Sequence, residues 1–576
     1  MHREWHAEIL IVGASFGGVS AALAAARAGR RVVLTEETGW IGGQATAQGV
    51  PLDEHPWIER YGSSESYRQF RRSVREYYRR NYPLTEQSRA DRAFNPGAGW
   101  VSALCFEPKV GRAVLDEMLA PYLSAGRILL MLHHRPVVVQ ADGDLIRAVT
   151  LACTRGGDLL TVAADYVLDA TDLGELLELG KIEHVIGAEA HDETGEPTAL
   201  EQADPLRQQG FTHLVAVDYR PGEDHTIERP LDYDRFRAGF ASLVGMSDDA
   251  ALRQRRLFGA GMADPTRSAG SVGTAEDRET RAGGLGRRAA APSRPYQFCI
   301  WNFRRVLCAA NFLPGTVDSD VTMLMSGNEY RGGVLCGVPA AEAAANREAA
   351  RRMSLALVHF LQAEVEPGYG GGRGFPGIRP RPDVFDTADG LAVQPYIRES
   401  RRIRAEYTVT ERSFHREQPG RQAAPERFPD AVAVGGYRID VHEPHPAGQS
   451  YTLSLHGKHW PQQLPLGALL PIRVDNLLPA SKNIGATHVT NGCFRLHPNE
   501  WSTGEAAGHL AVFCLDHAVP PRAVRAAPEL VAGLQRRLER DGVELEWPHW
   551  QPAMSYHSYR VDQPDWYWGE SARRPR

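Results

Sequence analysis

Residues 8–37 of the 576-residue chain read EILIVGASFGGVSAALAAARAGRRVVLTEE. The apolar run Ile9–Val12 predicts a buried parallel strand. The small-residue stretch Val19–Ala28 predicts a helix, and Gly29 is a typical residue to end it. Arg31–Thr35 predicts a second strand. A strand, a glycine-rich turn, a helix and a strand in this order are typical of a Rossmann-type nucleotide-binding unit, which indicates an α/β fold.

The turn of this unit, GASFGG at 13–18, departs from the G-x-G-x-x-G pattern only at its middle position, Ser15. The first glycine makes the tight turn, a small middle residue lets the backbone approach a pyrophosphate, and Gly18 lets the helix pack on the strand. N–H groups at the helix start then bind the phosphates. Glu36 and Glu37 follow about 20 residues on, where a carboxylate binds a ribose and repels a 2′-phosphate, so NADP is disfavoured.

Three further segments favour FAD over NAD, because a longer dinucleotide needs more separated contacts. The paired glycines of GWIGGQAT at 39–46 follow the acid directly, and DYVLDATD at 165–172 is a second apolar strand that ends in small and acidic residues. GEAAG at 504–508 is expected to open a late helix whose positive end faces the flavin. The glycine-rich stretch 370–374 lacks a preceding strand, so a dedicated NAD(P)H domain is not expected.

With these motifs on one chain, the sequence resembles the bacterial FAD-dependent oxidoreductase family of glutathione-reductase-type flavoproteins. Fumarate reductase and heterodisulfide reductase flavoprotein subunits are its distant relatives. The resemblance is carried by GASFGG (13–18), IGGQAT (41–46), DATDLGEL (169–176), RESRRI (398–403), YRIDVHEP (437–444) and NLLPASKNIGATHVTNGCFRLHPNEWSTGEAAG (476–508). Two positions depart from the family pattern, Ser15 and Asp172. The resemblance implies a discontinuous FAD-binding domain with an inserted α+β substrate domain, and it leaves the substrate open.

The domain boundaries expected from these patterns are an FAD-binding domain at 1–60, 100–185 and 470–520, a helical excursion at 61–99, a substrate or cap domain at 186–469 with a mobile insertion at 247–295, and a C-terminal helix and aromatic strap at 521–576. The residues assigned to FAD are Gly13, Ala14, Ser15, Gly17, Gly18, Glu36, Glu37, Gly42, Gly43, Gln44, Thr46, Val138, Ala170, Thr171, Asp172, Gly504 and Ala507. Hydrophobic patterning also predicts helices over 61–82, 110–123, 340–362 and 503–515, and strands over 128–132, 136–140, 146–154, 159–169 and 476–480.

The candidate catalytic residues lie at 487–500, directly before the late helix. His488 is the first candidate for general base or proton shuttle, because imidazole titrates near neutral pH, and His497 is the second. Arg495 is a candidate to hold a substrate anion or the charge of the reduced flavin. The alternative interpretation is that these histidines only bond backbone carbonyls and position the loop.

Other reactive side chains receive mainly structural interpretations. Cys105 and Cys493 have no partner cysteine nearby in sequence, so buried packing is favoured over a redox role. Arg398, Arg401 and Arg402 have a spacing that would place two guanidinium groups on one helical face. They are interpreted chiefly as interdomain salt bridges, with a carboxylate clamp as the alternative.

Two further groups of side chains have no predicted catalytic role. Four histidines (His442, His445, His456 and His459) lack the spacing of metal ligands, so no metal site is expected. The aromatic terminus Trp547–Trp568 is interpreted as a packing strap or interface, with a substrate lid as the alternative.

Charge and hydropathy disfavour two classes of protein, those that bind nucleic acids and those that span a membrane. The net charge of −6 disfavours a nucleic-acid partner, and no apolar run reaches the length of a membrane span. A core strand begins close to the amino terminus without a leader peptide, so a cytoplasmic protein is expected. We expect hydride transfer between FAD and a small organic substrate, with O2 or a carrier as electron acceptor. A flavin monooxygenase and a non-catalytic FAD-binding protein are the alternatives, and the oligomeric state is open.

Overall fold

The computed structural model describes residues 3–55, 57–99, 101–244, 300–365, 374–414, 425–442, 453–454 and 460–547. The insertion expected at 247–295 and the aromatic terminus beyond Trp547 lie outside these residues. None of the helices within the described ranges is long and apolar enough to cross a membrane.

The helices are α1 (Phe16–Arg27), α2 (Glu65–Asn81), α3 (Glu86–Ala90), α4 (Pro108–Ser124), α5 (Glu175–Leu179), α6 (His191–Thr194), α7 (Tyr233–Val244), α8 (Ile300–Phe303), α9 (Ala340–Ala363), α10 (Pro382–Phe385), α11 (His488–Phe494), α12 (His497–His517), α13 (Pro521–Ala526) and α14 (Pro528–Arg540). The strands are β1 (Arg3–Val12), β2 (Val32–Glu36), β3 (Ile128–Leu132), β4 (His134–Asp142), β5 (Leu145–Cys153), β6 (Leu159–Asp169), β7 (His184–Val185), β8 (Phe211–Thr212), β9 (Val215–Tyr219), β10 (Arg305–Leu307), β11 (Val321–Leu324), β12 (Glu329–Tyr330), β13 (Ile378–Pro380), β14 (Arg402–Ile403), β15 (Ala431–Gly435), β16 (Asp440–Val441), β17 (Leu453–Ser454), β18 (Gln462–Pro465) and β19 (Leu477–Pro479).

The main sheet has the order β3-β2-β1-β6-β5-β4, and β19 pairs with β6. Strands β1, β2, β3, β6 and β19 run parallel, whereas β4, β5 and β6 form an antiparallel meander. Ile9 and Ile11 enter the core on one face of β1, and Leu10 and Val12 enter the core on the other. A strand buried on both faces must be apolar throughout, which explains the continuous run at 9–12. The predicted Rossmann-type α/β fold is confirmed.

Helices α1 and α12 pack with their backbones almost in contact. A Cβ atom added at Gly504 would lie 1.9 Å from the Gly17 carbonyl oxygen, and one added at Gly508 would lie 2.6 Å from that of Ala21. The small residues predicted for α1 are therefore required by this crossing. They place the start of α1 beside the first turns of α12.

A second sheet, antiparallel and of order β10-β11-β9-β13, belongs to the part of the chain between β7 and β14. One face of this sheet packs in a core of its own that includes Val217, Phe240 and Leu357. The other face contributes Ala216 and Met323 to a core that also covers the main sheet. The α+β character of this inserted part agrees with the expected fold class. The domain boundaries given above stay predictions.

Helix α2 lies in the helical excursion predicted at 61–99. The Ser64 side chain caps it by accepting a hydrogen bond from Tyr67 N at 3.4 Å. The helix buries Arg71 completely, and the Arg71 guanidinium pairs with the carboxylates of Glu54 and Glu59. The charged face of α2 is thus partly a buried ionic layer.

Candidate functional site

The turn between β1 and α1 leaves no room for side chains at two of its glycines. Gly13 has a φ of +97°, and a Cβ there would lie 2.4 Å from the Ala170 carbonyl oxygen. A Cβ at Gly18 would lie 2.0 Å from the Gly13 carbonyl oxygen. Ser15 has an extended backbone, and its Oγ accepts a hydrogen bond from Gly18 N at 3.2 Å, so it caps α1. The departure from the glycine pattern at this position therefore stabilises the helix start.

The acid at the end of β2 faces this turn. One oxygen of the buried Glu36 carboxyl accepts a hydrogen bond from Ala14 N at 3.1 Å, and the other accepts from Thr38 N at 3.0 Å. Burial raises the pKa of Glu36 to about 8. Glu37 points elsewhere, and its carboxylate accepts a hydrogen bond from the Gln394 side chain.

The paired glycines that follow Glu36 and Glu37 contact the turn between β1 and α1. Gly42 has a φ of +100° and donates from its N–H to the Ala14 carbonyl oxygen at 2.7 Å. A Cβ at Gly43 would lie 3.1 Å from Ser15 Cα. Thr46, also buried, donates its hydroxyl to a carbonyl oxygen of the same segment. The turn and this segment are therefore in direct contact.

The same segment reaches the start of α12 through Gln44. Its side-chain amide donates to the Arg495 carbonyl oxygen at 3.1 Å and also to the buried Glu500 carboxylate. Glu500 accepts a second hydrogen bond from Ser481 Oγ at 2.8 Å. The sequence interpretation did not single out Glu500, although an acid in the first turn of a helix is a common pattern.

The end of β6 meets the loop after β19 through an ion pair. Asp172 pairs with Lys482 and accepts a hydrogen bond from Gln48 at 2.7 Å. Burial lowers the pKa of Lys482, but the carboxylates of Asp172 and Glu500 outweigh that effect and the net shift is upward. Ala170 and Thr171 lie between this pair and the turn at Gly13. The predicted segments 13–18, 42–46 and 170–172 are thus brought together.

These features fit a dinucleotide. The glycine cradle at Gly13 and Gly18 lets backbone approach phosphates, the start of α1 supplies N–H groups, and the buried Glu36 carboxyl is placed to accept from a ribose. The edge-strand residue Val138 is 47% exposed on β4, and its assignment stays a prediction.

The late helix begins earlier than predicted. Residues 488–494 form α11, and α12 begins at His497 rather than near Thr503. The expectation that Gly504 opens a helix toward the flavin is therefore wrong. Gly504 lies in the helix interior against Gly17, and Ala507 is also a buried interior position. The positive end of the helix dipole lies at His497 instead.

Arg495 lies between α11 and α12 at the centre of a cationic cluster. Its guanidinium donates to the Tyr396 hydroxyl and lies 5.8 Å from that ring's centroid. The Arg398 guanidinium lies over the same ring at 4.8 Å. All three side chains are about 1% exposed. The Nε atoms of Arg398 and Arg495 are buried and have no hydrogen-bond partner among the described residues.

Two carboxylates pair with the arginines of this cluster, and one histidine connects the two carboxylates. Glu329 lies 2.9 Å from the Arg398 guanidinium, and Asp440 lies 3.4 Å from that of Arg495. His442 connects them, with Nδ1 2.7 Å from Glu329 and Nε2 3.2 Å from Asp440. Burial opposes ionisation of Asp440, but neighbouring cations hold its pKa well below the usual range.

His488 lies at the opposite end of α11 from Arg495. Its Nδ1 lies 2.9 Å from Glu399, and its backbone N–H donates to Glu189 at 2.9 Å. It borders a small cavity that Glu189 and Glu196 also line. A seven-residue helix is about 10 Å long, and no hydrogen bond joins His488 directly to Arg495 among the described residues.

His497 is fully buried, and its Nδ1 accepts a hydrogen bond from Asp53 N at 3.0 Å. Burial lowers the pKa of His497 to about 3. The ring is therefore neutral over the physiological range, with its proton on Nε2. The prediction of His497 as a proton shuttle assumed an imidazole that titrates near neutral pH, and the buried ring does not meet that condition.

The arginine motif at 398–402 is extended rather than helical, so the expected helical face is wrong. Arg401 pairs with Glu178 at 2.9 Å, and Arg402 pairs with Glu189 at 2.9 Å. All three arginines have carboxylate partners, while an interdomain role for these pairs and the alternative of a carboxylate clamp stay predictions.

Neither of the two cysteines that we considered has the surroundings of a redox thiol. Burial raises the pKa of the Cys493 thiol far above its ordinary value, and Cys105 is fully buried with Sγ 3.8 Å from the Ser102 carbonyl oxygen. Within the described residues, no group of three or more His, Cys, Asp or Glu side chains is arranged to hold a metal ion. His445, His456 and His459 lie outside those residues.

A family model described as FAD dependent oxidoreductase matches residues 8–538, nearly the whole chain. The chain belongs to the FAD dependent oxidoreductase family. FAD is therefore its cofactor, and the protein is an oxidoreductase. The sequence-based resemblance is confirmed, while the individual FAD contacts and catalytic residues stay predictions.

No curated protein matches the chain. Solved structures with local similarity include L-proline dehydrogenase from P. horikoshii (17% identity, 33% of this chain and 26% of that chain, TM-score 0.17) and the flavin-dependent monooxygenase PieE in complex with FAD and substrate (15% identity, 37% and 35%, TM-score 0.23). The E. coli quinol fumarate reductase FrdA, in a variant form, is similar over 93% of this chain and 75% of that chain, at 13% identity and a TM-score of 0.30. The match thus covers about a quarter of the length of the proline dehydrogenase and about a third of the length of the monooxygenase.

Proposed function

We propose that this FAD dependent oxidoreductase oxidises a small organic acid by hydride transfer to FAD, which is then reoxidised by O2 or a carrier. The observation that carries the proposal is the pair of buried Nε donors on Arg398 and Arg495 without partners among the described residues. Buried donors of this kind call for a ligand, because an unmet guanidinium N–H costs free energy. A carboxylate is the acceptor that a guanidinium binds best.

The place of the arginines supports the same conclusion. Arg495 contacts the FAD-binding segment through Gln44, and Arg398 donates to the Gly210 carbonyl oxygen of the inserted part at 2.6 Å. Enzyme sites are frequent at such junctions between a cofactor-binding part and an inserted part. A substrate held here would be shielded from water, which strengthens its electrostatic contacts.

The bound FAD supplies the hydride acceptor, and the chain supplies the substrate's orientation. Arg495 and Arg398 would hold the carboxylate, so that the neighbouring C–H bond has one fixed position. Ion pairs with the carboxylates of Glu329 and Asp440 hold the two guanidinium groups in place.

The test is anaerobic mixing of the FAD-loaded protein with small 2-amino and 2-hydroxy acids and with their methyl esters. We expect the flavin band near about 450 nm to bleach with an acid. The ester should react about 10- to 100-fold more slowly, because it lacks the charge-assisted hydrogen bonds. Equal rates for acid and ester, or no bleaching by any acid, would contradict the proposal.

A further inference from the structure

Tyr396 joins the two parts of the site. Its backbone exchanges two hydrogen bonds with Thr212 of the inserted part, with Tyr396 N donating at 2.7 Å and Thr212 N donating at 3.1 Å. Two residues earlier, Gln394 N donates to the Ala47 carbonyl oxygen in the FAD-binding segment at 3.1 Å. The tyrosine ring is thus fixed at the junction where the proposed substrate would lie.

Two arginines contact the Tyr396 side chain, and a lysine from a third part of the chain acts on it electrostatically. Arg398 precedes β14, Arg495 follows α11, and Lys482 follows β19 and lies within electrostatic reach of the hydroxyl. Each of these cations pairs with a carboxylate: Glu329, Asp440 or Asp172. The Tyr396 oxygen accepts from Arg495 and keeps a further lone pair for a substrate O–H or N–H.

Within the described residues, neither of the two candidate histidines contacts the proposed carboxylate-binding arginines. His497 is held neutral with Nδ1 engaged by Asp53, and the Nδ1 of His488 faces Glu399 at the far end of α11. Neither of them contacts Arg398 or Arg495 by a hydrogen bond that the described residues show.

We propose that Tyr396 is the group that exchanges a proton with the substrate, an inference that rests on the proposed oxidation of an organic acid. The substrate's C–H electron pair leaves with hydride to FAD, and a C=O or C=N bond forms. Tyr396 first releases its own proton to water. The proton of the substrate O–H or N–H then passes to the phenolate oxygen, and its release to water restores the phenolate for the next turnover. FAD is the oxidant, and it takes up both electrons.

The experiment is stopped-flow reduction of the FAD-loaded Tyr396→Phe variant by the most reactive acid of the panel, over a range of pH and in H2O and D2O. We expect a rate at least about 100-fold lower, loss of the pH-dependent limb and of the solvent isotope effect, and unchanged FAD content and affinity for the acid. Tyr330→Phe is the control, because it removes a buried hydroxyl that contacts Asn346 at 3.3 Å in the inserted part. A Tyr396→Phe rate within about threefold of wild type, with the same pH profile, would overturn the inference.

Fluorinated tyrosine at position 396 keeps the shape of the ring and guards against a variant that does not fold. A more acidic phenol should move the pH limb to lower pH, and an unmoved limb would overturn the inference. If no acid reduces the flavin, the proposed oxidation of an organic acid is contradicted, and the role of Tyr396 needs a test of its own. Tyr396 is then tested by the tyrosinate absorbance of wild type minus Tyr396→Phe between about pH 6 and pH 11. One reversible ionisation supports proton exchange, and its absence contradicts it.

Discussion

At the scale of single residues, short polar side chains define the FAD-binding turn. Ser15 replaces a glycine without strain because its backbone is extended, and its hydroxyl caps α1. Glu36 faces the turn, whereas its neighbour Glu37 faces Gln394. Two adjacent acids therefore have different roles, which their order in the sequence does not reveal.

Replacing Glu36 should weaken FAD binding. The Glu36→Ala variant loses the carboxyl that faces the turn, so we expect its FAD affinity to fall about 10- to 100-fold. Glu37→Ala is the matched control and should change affinity by less than about threefold. Fluorescence titration of the apoprotein with FAD measures both, and a larger loss in Glu37→Ala would contradict the assignment.

The stability contributed by Glu196 should depend on pH. Burial raises its pKa to about 8, whereas an unfolded glutamate ionises near 4.5. The folded chain therefore binds more protons between these values, and the stability that the buried acid contributes is lost as pH rises toward 8.

Wild type should thus lose stability relative to Glu196→Gln by roughly 1.4 kcal/mol per pH unit over that window. Urea unfolding at several pH values measures this difference. The exposed Glu193→Gln serves as control and should show a constant difference. A pH-independent difference for Glu196→Gln would show that this carboxyl ionises normally.

At the scale of elements, the crossing of α1 and α12 sets the position of the site. The first turns of both helices are held together by backbone contact at Gly17 and Gly504. Because α12 begins at His497, the same crossing places Glu500 beside Ser481 and Gln44.

Enlarging Gly504 should separate the two helices. In Gly504→Ala the new methyl would overlap the Gly17 carbonyl oxygen, so we expect a loss of at least about 1–3 kcal/mol in the free energy of unfolding and weaker FAD binding. Gly533→Ala in α14 places its Cβ 3.1 Å from the Phe513 ring edge, which can shift, and should change stability by less than about 1 kcal/mol. Similar stabilities for the two variants would refute the close crossing.

The ionic layer under α2 gives a second element-scale test. Arg71→Met should lower the free energy of unfolding by about 3–5 kcal/mol, because it leaves the buried Glu54 carboxylate without its cationic partner. Arg72→Met on the exposed face of the same helix removes only the pair with Glu65 and should cost less than about 1 kcal/mol. Thermal and urea unfolding distinguish the two, and equal losses would contradict the buried pairing.

At the scale of the whole molecule, local patterns predicted the main sheet and missed the long-range parts of the site. The Ile9–Val12 strand and the helix at 340–362 carry their periodicity in consecutive residues. The start of α12 was also predictable, since Pro498 is typical of a first helical turn. The contact of Tyr396 with Arg495 spans 99 positions. No local pattern encodes a pairing between such distant residues.

The whole-molecule account places the substrate acid between the FAD-binding segments and the inserted part. The most direct measurement is a crystal structure of the FAD-loaded protein with the oxidised product of the reactive acid. The account predicts a carboxylate oxygen within about 3 Å of the Arg495 guanidinium and the newly formed C=O or C=N group beside the Tyr396 hydroxyl. A product bound at the cavity of His488 and Glu196, away from Arg495, would contradict it.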